Sequence, residues 1–473
     1  MNSAVTLSMV DGTKVVVPDS LELITPYVLR EQHDWFEDEI KFLRRLIQPG
    51  QKVIDIGANY GVYTVSIAQA VGPSGHVWAF EPASATAGFL GESLAANGFG
   101  NVTLERCALS GVAGSARLSV HSHAELNALI RDAGSTEPAE TVPLVTLDGY
   151  AEKAGWPDID FVKMDAEGEE VHILRGGNRF LTERSPLVQY EITDGKHVHL
   201  DLVQAFADLG YDSYRLVPGL DVLIPIRNAR QADRYLLNLF ACKPDRAAKL
   251  ASAGWLVNEV PEPDPSGALP VGLSTDVFDE HAFDWRVALA GLPYGKKLAA
   301  QWERAVTGDE TDAVEEALAL YALSRDVSRP ADERFIALEC SFHRFGRLAE
   351  ASPTHPRLAS LARTARDYGA RAVAIDALAK LCNGIMQNRR VDLDEPFLAP
   401  AGRFDSIDPG DALGDWVFTA AAETLECLQS FSSFYTGMAG QRNLENLCNS
   451  AFAGPEMHRR LGLLRRRFGL PGS

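Results

Sequence analysis

No stretch constrains this chain more than Val53-Ile54-Asp55-Ile56-Gly57-Ala58-Asn59-Tyr60-Gly61. A short apolar run ends in a small, polar turn containing glycine, and a helix-like segment over 62–71 follows. A buried parallel strand that feeds the first crossover helix of a nucleotide-binding sheet has this pattern. Glycine lets backbone approach a ligand closely, and N–H groups at a helix start offer it donors.

The surrounding pattern extends that reading. Residues 5–10 and 13–17 flank Asp11-Gly12, a favoured tight-turn pair, and predict a hairpin. Phe36, Ile40, Leu43 and Ile47 repeat at helical spacing and predict one helix over 27–47, capped by Asp34 and Glu37 and stopped by Pro49-Gly50. From residue 51, strands at 52–56, 76–80, 102–106, 161–164 and 187–192 alternate with helices at 62–71, 85–97, 169–175 and 200–209. Closing strands are expected at 211–217 and 234–241. Such alternation predicts an α/β, doubly wound, mostly parallel sheet with an antiparallel closing strand. An irregular stretch, 121–141, is the loop expected to carry substrate contacts.

Past Lys243 the grammar changes. Prolines and glycines cluster over 257–275, and beyond Phe278 alanine- and leucine-rich helical segments dominate, at 296–306, 311–324, 332–345, 355–368, 369–386 and 414–434. They resemble an array of helical hairpins without a fixed repeat period. The expected organisation is an N-terminal hairpin and helix at 1–50, a catalytic domain at 51–250, a linker at 251–277, and an all-α helical-hairpin domain at 278–473.

Composition narrows the function classes. The 473 residues carry a net charge of −19, spread over both halves, which speaks for solubility and against nucleic-acid binding. No apolar run approaches the roughly 20 residues that span a bilayer, and residues 1–10 lack a signal peptide's charged start and apolar core, so a cytoplasmic location is expected. Six cysteines lie far apart without a C-x-x-C, against a disulfide framework or zinc cluster. Arg459, Arg460, Arg465, Arg466 and Arg467 read as a solvated terminal helix face rather than an anionic-partner patch.

The chemistry sits at the strand ends. Asp55-x-Gly57-x-Asn59-x-Gly61 departs from the dinucleotide fingerprint, which needs glycine where Asn59 and Val62 stand. The second strand ends in Glu81, where a carboxylate can accept two hydrogen bonds from a ribose diol. A ribose diol without a pyrophosphate cradle suits S-adenosyl-L-methionine, whose cationic sulfur is compatible with acidic surroundings.

Further on, Lys163-Met164-Asp165-Ala166-Glu167-Gly168-Glu169-Glu170 with Ile173-Leu174-Arg175-Gly176 resembles the K-I-D-V-E-G-x-E…L-x-G signature of the FkbM family of S-adenosylmethionine-dependent methyltransferases. Val53–Gly61 is similar to that family's I-D-I-G-A-N-x-G turn, 145–148 to its T-L-D segment, and Tyr190-Glu191 to the end of its fifth strand. The resemblance covers residues 27–243 and implies a Rossmann-like class I methyltransferase sheet. It also implies O-methylation, often of hydroxyls on sugars or polyketide-derived products; it implies nothing about the helical region.

Methyl transfer to a hydroxyl needs in-line positioning and a proton acceptor. The expected catalytic residues are Asp165, Glu167, Glu191 and His197, with His172 and His199 as further candidates. The expected donor-binding residues are Asp55, Gly57, Asn59, Gly61, Glu81 and Asp165. Bland readings stand beside these: Asp55 as a turn cap, Asp165 as a helix cap, Glu169 as a solvated first-turn residue, and Glu170 as a structural hydrogen-bond partner. Trp35, Phe36 and Tyr60 shield the donor or, at helical spacing, belong to the core. Asp165, Glu191 and Asp194 form an oxygen set that suits magnesium, though carboxylates also serve plain hydrogen bonding. The leading expectation is an O-methyltransferase acting on a sugar, glycan or secondary-metabolite hydroxyl. The other is a docking protein whose helical domain recruits the enzyme to a glycan-assembly or carrier complex.

Overall fold

The computed structural model describes residues 3–121, 124, 127–130, 138–156, 158–194, 197–226, 233–260, 286, 289, 291–305 and 309–471, with only the backbone of Thr193, Asp194, His197, Val198, Ala305, Asp309, Glu310 and Thr311. Most of the loop expected at 121–141, and the expected linker from 261 to 277, lie outside the described residues.

The chain opens with an antiparallel hairpin, β1 (Ala4–Ser8) and β2 (Lys14–Pro18). Helices α1 (Ile24–Gln32) and α2 (Asp38–Leu46) follow. The single helix predicted over 27–47 is therefore two. His33 ends the first with φ of 59°. Asp34 does not cap a helix. Its carboxylate takes a bidentate grip from Arg44 at 2.7 and 2.8 Å, and Arg44 also reaches Asp11 in the hairpin turn at 2.8 Å.

Next come β3 (Lys52–Ile56), α3 (Val62–Val71), β4 (His76–Phe80), α4 (Ser84–Asn97) and β5 (Val102–Glu105). A small three-stranded sheet follows, from β6 (Ala108–Leu109), β7 (Gly114–Ser119) and β8 (Ala139–Val145). Then come α5 (Leu147–Ala154), β9 (Phe161–Met164), α6 (Glu170–Gly176), α7 (Asn178–Glu183) and β10 (Leu187–Glu191). The T-L-D segment has structural work here. Thr146 Oγ1 accepts from Gly149 N, and Asp148 accepts from the backbone N–H groups of Arg179 and Phe180 at the start of α7. After the two-residue strands β11 (Thr193–Asp194) and β12 (His197–Val198) come α8 (Leu200–Asp208), β13 (Asp212–Val217), β14 (Val222–Pro225), β15 (Asn238–Cys242) and α9 (Pro244–Ser252).

The main sheet has eight strands in the order β14-β13-β15-β10-β9-β3-β4-β5. β10, β9, β3, β4 and β5 are parallel; β15 runs antiparallel to β10. The chain winds outward from β3 through β4 to β5, then restarts at β9 on the other side. The switch point lies between β3 and β9, and ligands of such sheets bind in the crevice beyond the carboxyl ends at that point. The doubly wound, Rossmann-like sheet expected from the sequence is the sheet observed.

The rest is helical: α10 (Pro293–Ala305), α11 (Asp309–Arg325), α12 (Ala331–Ala351), α13 (His355–Tyr368), α14 (Arg371–Asn388), α15 (Leu413–Gln429), α16 (Ser433–Thr436), α17 (Gln441–Cys448) and α18 (Pro455–Phe468). Helices α11 to α15 pack each on the next, as in a hairpin array. Their apolar core is continuous with the edge of the sheet, because Val217, Val222 and Ile224 join Phe335, Leu361 and Leu378 in one cluster. A β-carbon on Gly219 would sit 2.4 Å from Asp367 Cβ, so β13–β14 and α13 approach as closely as backbone allows. The outer edge of β14 is paired by the segment after α9, where Leu223 N donates to Trp255 O at 2.8 Å and Val257 N to Leu223 O at 2.9 Å.

Two expectations in this half need correction. The helix predicted over 414–434 breaks after Gln429, and residues 430–432 are extended or irregular before α16. The terminal arginines are only in part a solvated face: Arg466 is exposed and Arg459, Arg465 and Arg467 are half-buried, but Arg460 is not on it. Arg460 is 1% exposed and lies 2.9 Å from Glu456 and 3.6 Å from both Glu31 and Glu426.

Candidate active site

A cavity of about 640 Å³ opens over the carboxyl ends of β3, β4, β9 and β10. At its floor, Gly57 has φ of 75°, and a β-carbon there would fall 1.7 Å from the Asp165 carbonyl oxygen. Only glycine lets the ends of β3 and β9 meet this closely. Asn59 follows with φ of 50°, a left-handed conformation that asparagine tolerates better than most residues. Its side-chain oxygen accepts from Tyr60 N at 2.8 Å.

The turn is tied to Glu81 at the end of β4. One Glu81 oxygen accepts from Asn59 N and the other from Ala83 N, each at 2.8 Å. The side chain is nearly buried yet lines the cavity. Burial pushes its carboxyl up to about 7, although both N–H groups favour the ionised form.

Beyond the switch point lies an acidic group. Asp165, Glu167, Glu169 and Glu191 line the cavity, together with Glu37 from the break between α1 and α2. Lys163 Nζ lies 3.0 Å from Asp165 Oδ2 and 3.9 Å from Asp55 Oδ1. Burial alone would lower the lysine, but the two carboxylates outweigh it and hold the ammonium charged. Burial and the negative charges of Asp165, Glu167, Glu37 and Glu170 push Glu191 up to about 10. Glu37 is also raised by burial, against hydrogen bonds from the Tyr63 hydroxyl and from Trp35 Nε1, the latter at 3.0 Å.

Of the expected residues, Gly57, Asn59, Glu81, Asp165, Glu167 and Glu191 meet at this cavity. Asp55 does not line it. Its carboxylate is fully buried behind the turn, where it accepts from Thr64 Oγ1 at 2.5 Å, and burial raises it. Gly61 is also off the wall; it starts α3, where a side chain would strike Leu90 at 2.3 Å. His197 pairs through its backbone with Asp194, and its side chain, like that of Asp194 in the magnesium set, lies outside the described residues. His172 and His199 are half-buried and away from the cavity wall. Glu169 is buried rather than solvated and accepts from Ser110 Oγ at 2.9 Å. Glu170 Oε1 accepts from Ala166 N at 2.7 Å, the structural role weighed for it. Among the described residues no group of three or more His, Cys, Asp or Glu is arranged to hold a metal ion.

Trp35, Phe36 and Tyr60, weighed as donor shields or core aromatics, line the cavity, and Tyr60 also belongs to the apolar core, with Trp35 packed against it. Sequence reasoning missed Glu37, Tyr63, Arg234, Tyr235, Phe431 and Tyr435. Phe431 and Tyr435 carried no signal, because they lie some 240 residues beyond Glu191 and outside any motif.

Residues 55–213, which carry the turn, Glu81, the acidic group and Glu191, match the family model described as Methyltransferase FkbM domain. This stretch is an FkbM methyltransferase domain. The FkbM domain thus takes in both flanks of the switch point, while the helical region falls outside the match. Among solved structures, the Methyltransferase FkbM from Methylobacillus flagellatus KT aligns at 17% identity over 43% of this chain and 50% of that one, with a TM-score of 0.28. The chain therefore spans half the length of that protein. A SAM-dependent O-methyltransferase from Thermotoga maritima aligns at 16% identity over 50% of this chain and 77% of that one, TM-score 0.25. A SAM dependent methyltransferase from Aquifex aeolicus aligns at 14% over 46% and 93%, TM-score 0.25. A search of the curated proteins found no match. Among the described residues no helix is long and apolar enough to cross a membrane.

Proposed function

We propose that the chain is an S-adenosyl-L-methionine-dependent O-methyltransferase acting on a hydroxyl of a sugar, glycan or secondary metabolite. The observation that carries this is Glu81: a carboxylate at the end of β4, oriented by two backbone N–H groups and facing the cavity beside the FkbM turn. Its remaining lone pairs suit the two ribose hydroxyls. The neighbouring acids suit a sulfonium charge. When bound, the donor supplies a methyl group on cationic sulfur, and the carbon–sulfur electron pair leaves with neutral S-adenosylhomocysteine.

The chain's own residues supply position and a proton acceptor. Asp165 is partly exposed to the cavity and fixed by Lys163, so it can take the acceptor hydroxyl's proton as the oxygen–methyl bond forms. Such a base contributes about 10²–10⁴-fold in rate. Glu191, held largely protonated at neutral pH by burial and by its acidic neighbours, can donate a hydrogen bond to the acceptor oxygen. Asp55 acts as a positioning residue through Lys163.

The test is calorimetric titration of S-adenosyl-L-methionine into wild type and Glu81→Ala. Binding to wild type with a loss of about tenfold or more in the variant is expected, since the lost hydrogen bonds involve a charged group. Absence of binding to folded wild type would overturn the reading, and equal binding would remove Glu81 from the ribose role. The alternative of a separable docking module is weakened by the shared core and by the helical region's place in the cavity wall.

A further inference from the structure

Sheet order sets out the crevice from end to end. Glu81 stands at β4, the turn at β3, Asp165 at β9 and Glu191 at β10. The next strand, β15, is antiparallel, so the residues before it, Arg234 to Leu237, lie at the same edge of the sheet. If Glu81 marks the donor end, the far end is where an acceptor enters; the inference rests on the methyl-transfer reading to that extent.

That far end is aromatic and is built from both ends of the chain. The Trp35 and Phe36 rings lie 4.5 Å apart, and Phe36 lies 4.8 Å from Phe431. The Arg371 guanidinium sits 4.0 Å from the Phe431 centroid and 5.2 Å from that of Tyr235, while its Nε donates to Leu428 O. Phe431 belongs to the break after α15, outside the FkbM match. The break is held firmly: Gln32 Nε2 donates to Phe431 O at 2.5 Å, and Ser433 N donates to the buried Glu31 carboxylate at 3.1 Å.

We propose that this wall is the acceptor site, that Phe431 contacts the acceptor directly, and that the acceptor is an uncharged, ring-bearing hydroxyl compound. Aromatic faces pack on the apolar face of a ring. Charge supports the rest. Glu37, Asp165, Glu167 and Glu191 face the same space against two cations there, Lys163, which is already matched by two carboxylates, and Arg234, which lies over the Tyr235 ring at 5.0 Å. A phosphate or carboxylate on the acceptor near the reacting hydroxyl meets like charge.

The full chain, loaded with S-adenosylhomocysteine, is titrated with phenyl β-D-glucopyranoside and with phenyl β-D-glucuronide, which differ by one carboxylate. The glucoside should bind, and the glucuronide should bind about tenfold more weakly or worse. Phe431→Ala should weaken the glucoside by about fivefold or more while leaving the affinity for S-adenosylhomocysteine unchanged. Phe431→Leu, which keeps an apolar side chain, should show the same split if alanine disturbs folding, and Phe431→Tyr should restore binding. The proposal is overturned if S-adenosylhomocysteine binds but the glucoside does not, if the glucuronide binds as well as the glucoside, or if both the alanine and leucine variants bind the glucoside like wild type. Failure of S-adenosylhomocysteine to bind wild type would instead overturn the methyl-transfer reading.

Discussion

Glu81 and Glu191 are both carboxyls raised by burial, and donor binding should favour the ionised form of each, but in different pH ranges. Ribose hydroxyls donate to Glu81 and favour its ionised form. With the carboxyl at about 7, donor affinity should fall as pH drops below 7, approaching about tenfold per unit for one linked proton. Titrations between about pH 5.5 and 8 check this. The slope should vanish in Glu81→Gln; a slope that persists there assigns the proton elsewhere. Glu191 is raised to about 10 by burial and four acidic neighbours, so it holds its proton at pH 8, where Glu81 has mostly lost its own. A sulfonium beside it stabilises the carboxylate, lowers the pKa and drives a proton out. Calorimetry at about pH 8, in buffers of different ionisation enthalpy, should register proton release with S-adenosyl-L-methionine and less with uncharged S-adenosylhomocysteine. Equal release for both ligands would separate Glu191 from the sulfur.

At the scale of elements, the sheet and its motif-bearing turns were legible, and the cavity walls were not, for one reason in two places. The strands from 52 to 56 and 187 to 191 are short, mostly apolar runs, broken only by Asp55 and Gln189 between their ends, which local pattern reads well. Phe36, Ile40 and Leu43 also keep helical spacing, so periodicity ran a helix straight through 33–37. No glycine or proline marks the break, because His33 takes the left-handed conformation instead. The same happened at 430–432, where Ser-Phe-Ser interrupts an alanine-rich helix. In both places tertiary contacts, invisible in local sequence, draw an aromatic residue out of a helix and into the cavity. The network that holds the first break is Asp34–Arg44–Asp11, with Ser66 donating to Asp11 at 2.6 Å. Asp34→Ala should cost about 1.5–3 kcal/mol in urea unfolding, as expected for hydrogen bonds between charged groups shielded from water. A double-mutant cycle with Arg44→Ala should return a coupling of about 0.5–3 kcal/mol; strict additivity would mean the grip contributes nothing.

For the whole molecule, the two ends of the chain are joined at a buried ionic knot. Glu31 of α1 has no exposed side-chain surface. It accepts from Ser433 N, lies close to the Ser433 hydroxyl, and sits 3.6 Å from Arg460 of α18. Arg460 also faces Glu426 of α15 and Glu456 of its own helix. Arg459 Nε donates to Glu31 O at 2.6 Å, and the Arg467 guanidinium lies 4.0 Å from the Phe434 ring. An isolated ion pair of this kind is weak evidence for net stability, since desolvation offsets attraction. Removing one partner is a different matter, because the other charges stay buried without it. Arg460→Ala should therefore cost about 3–5 kcal/mol, read as a lowered midpoint in chemical unfolding. Its second consequence separates this knot from a generic stabilising contact. The knot holds segment 431–435 at the aromatic end of the cavity, through Glu31 and its neighbour Gln32. Under conditions where Arg460→Ala remains folded, binding of S-adenosylhomocysteine should be close to wild type, while binding of phenyl β-D-glucopyranoside to the loaded protein should weaken in parallel with Phe431→Ala. Loss of both ligands together would mean that the terminal helix supports the sheet as a whole rather than one wall of its crevice.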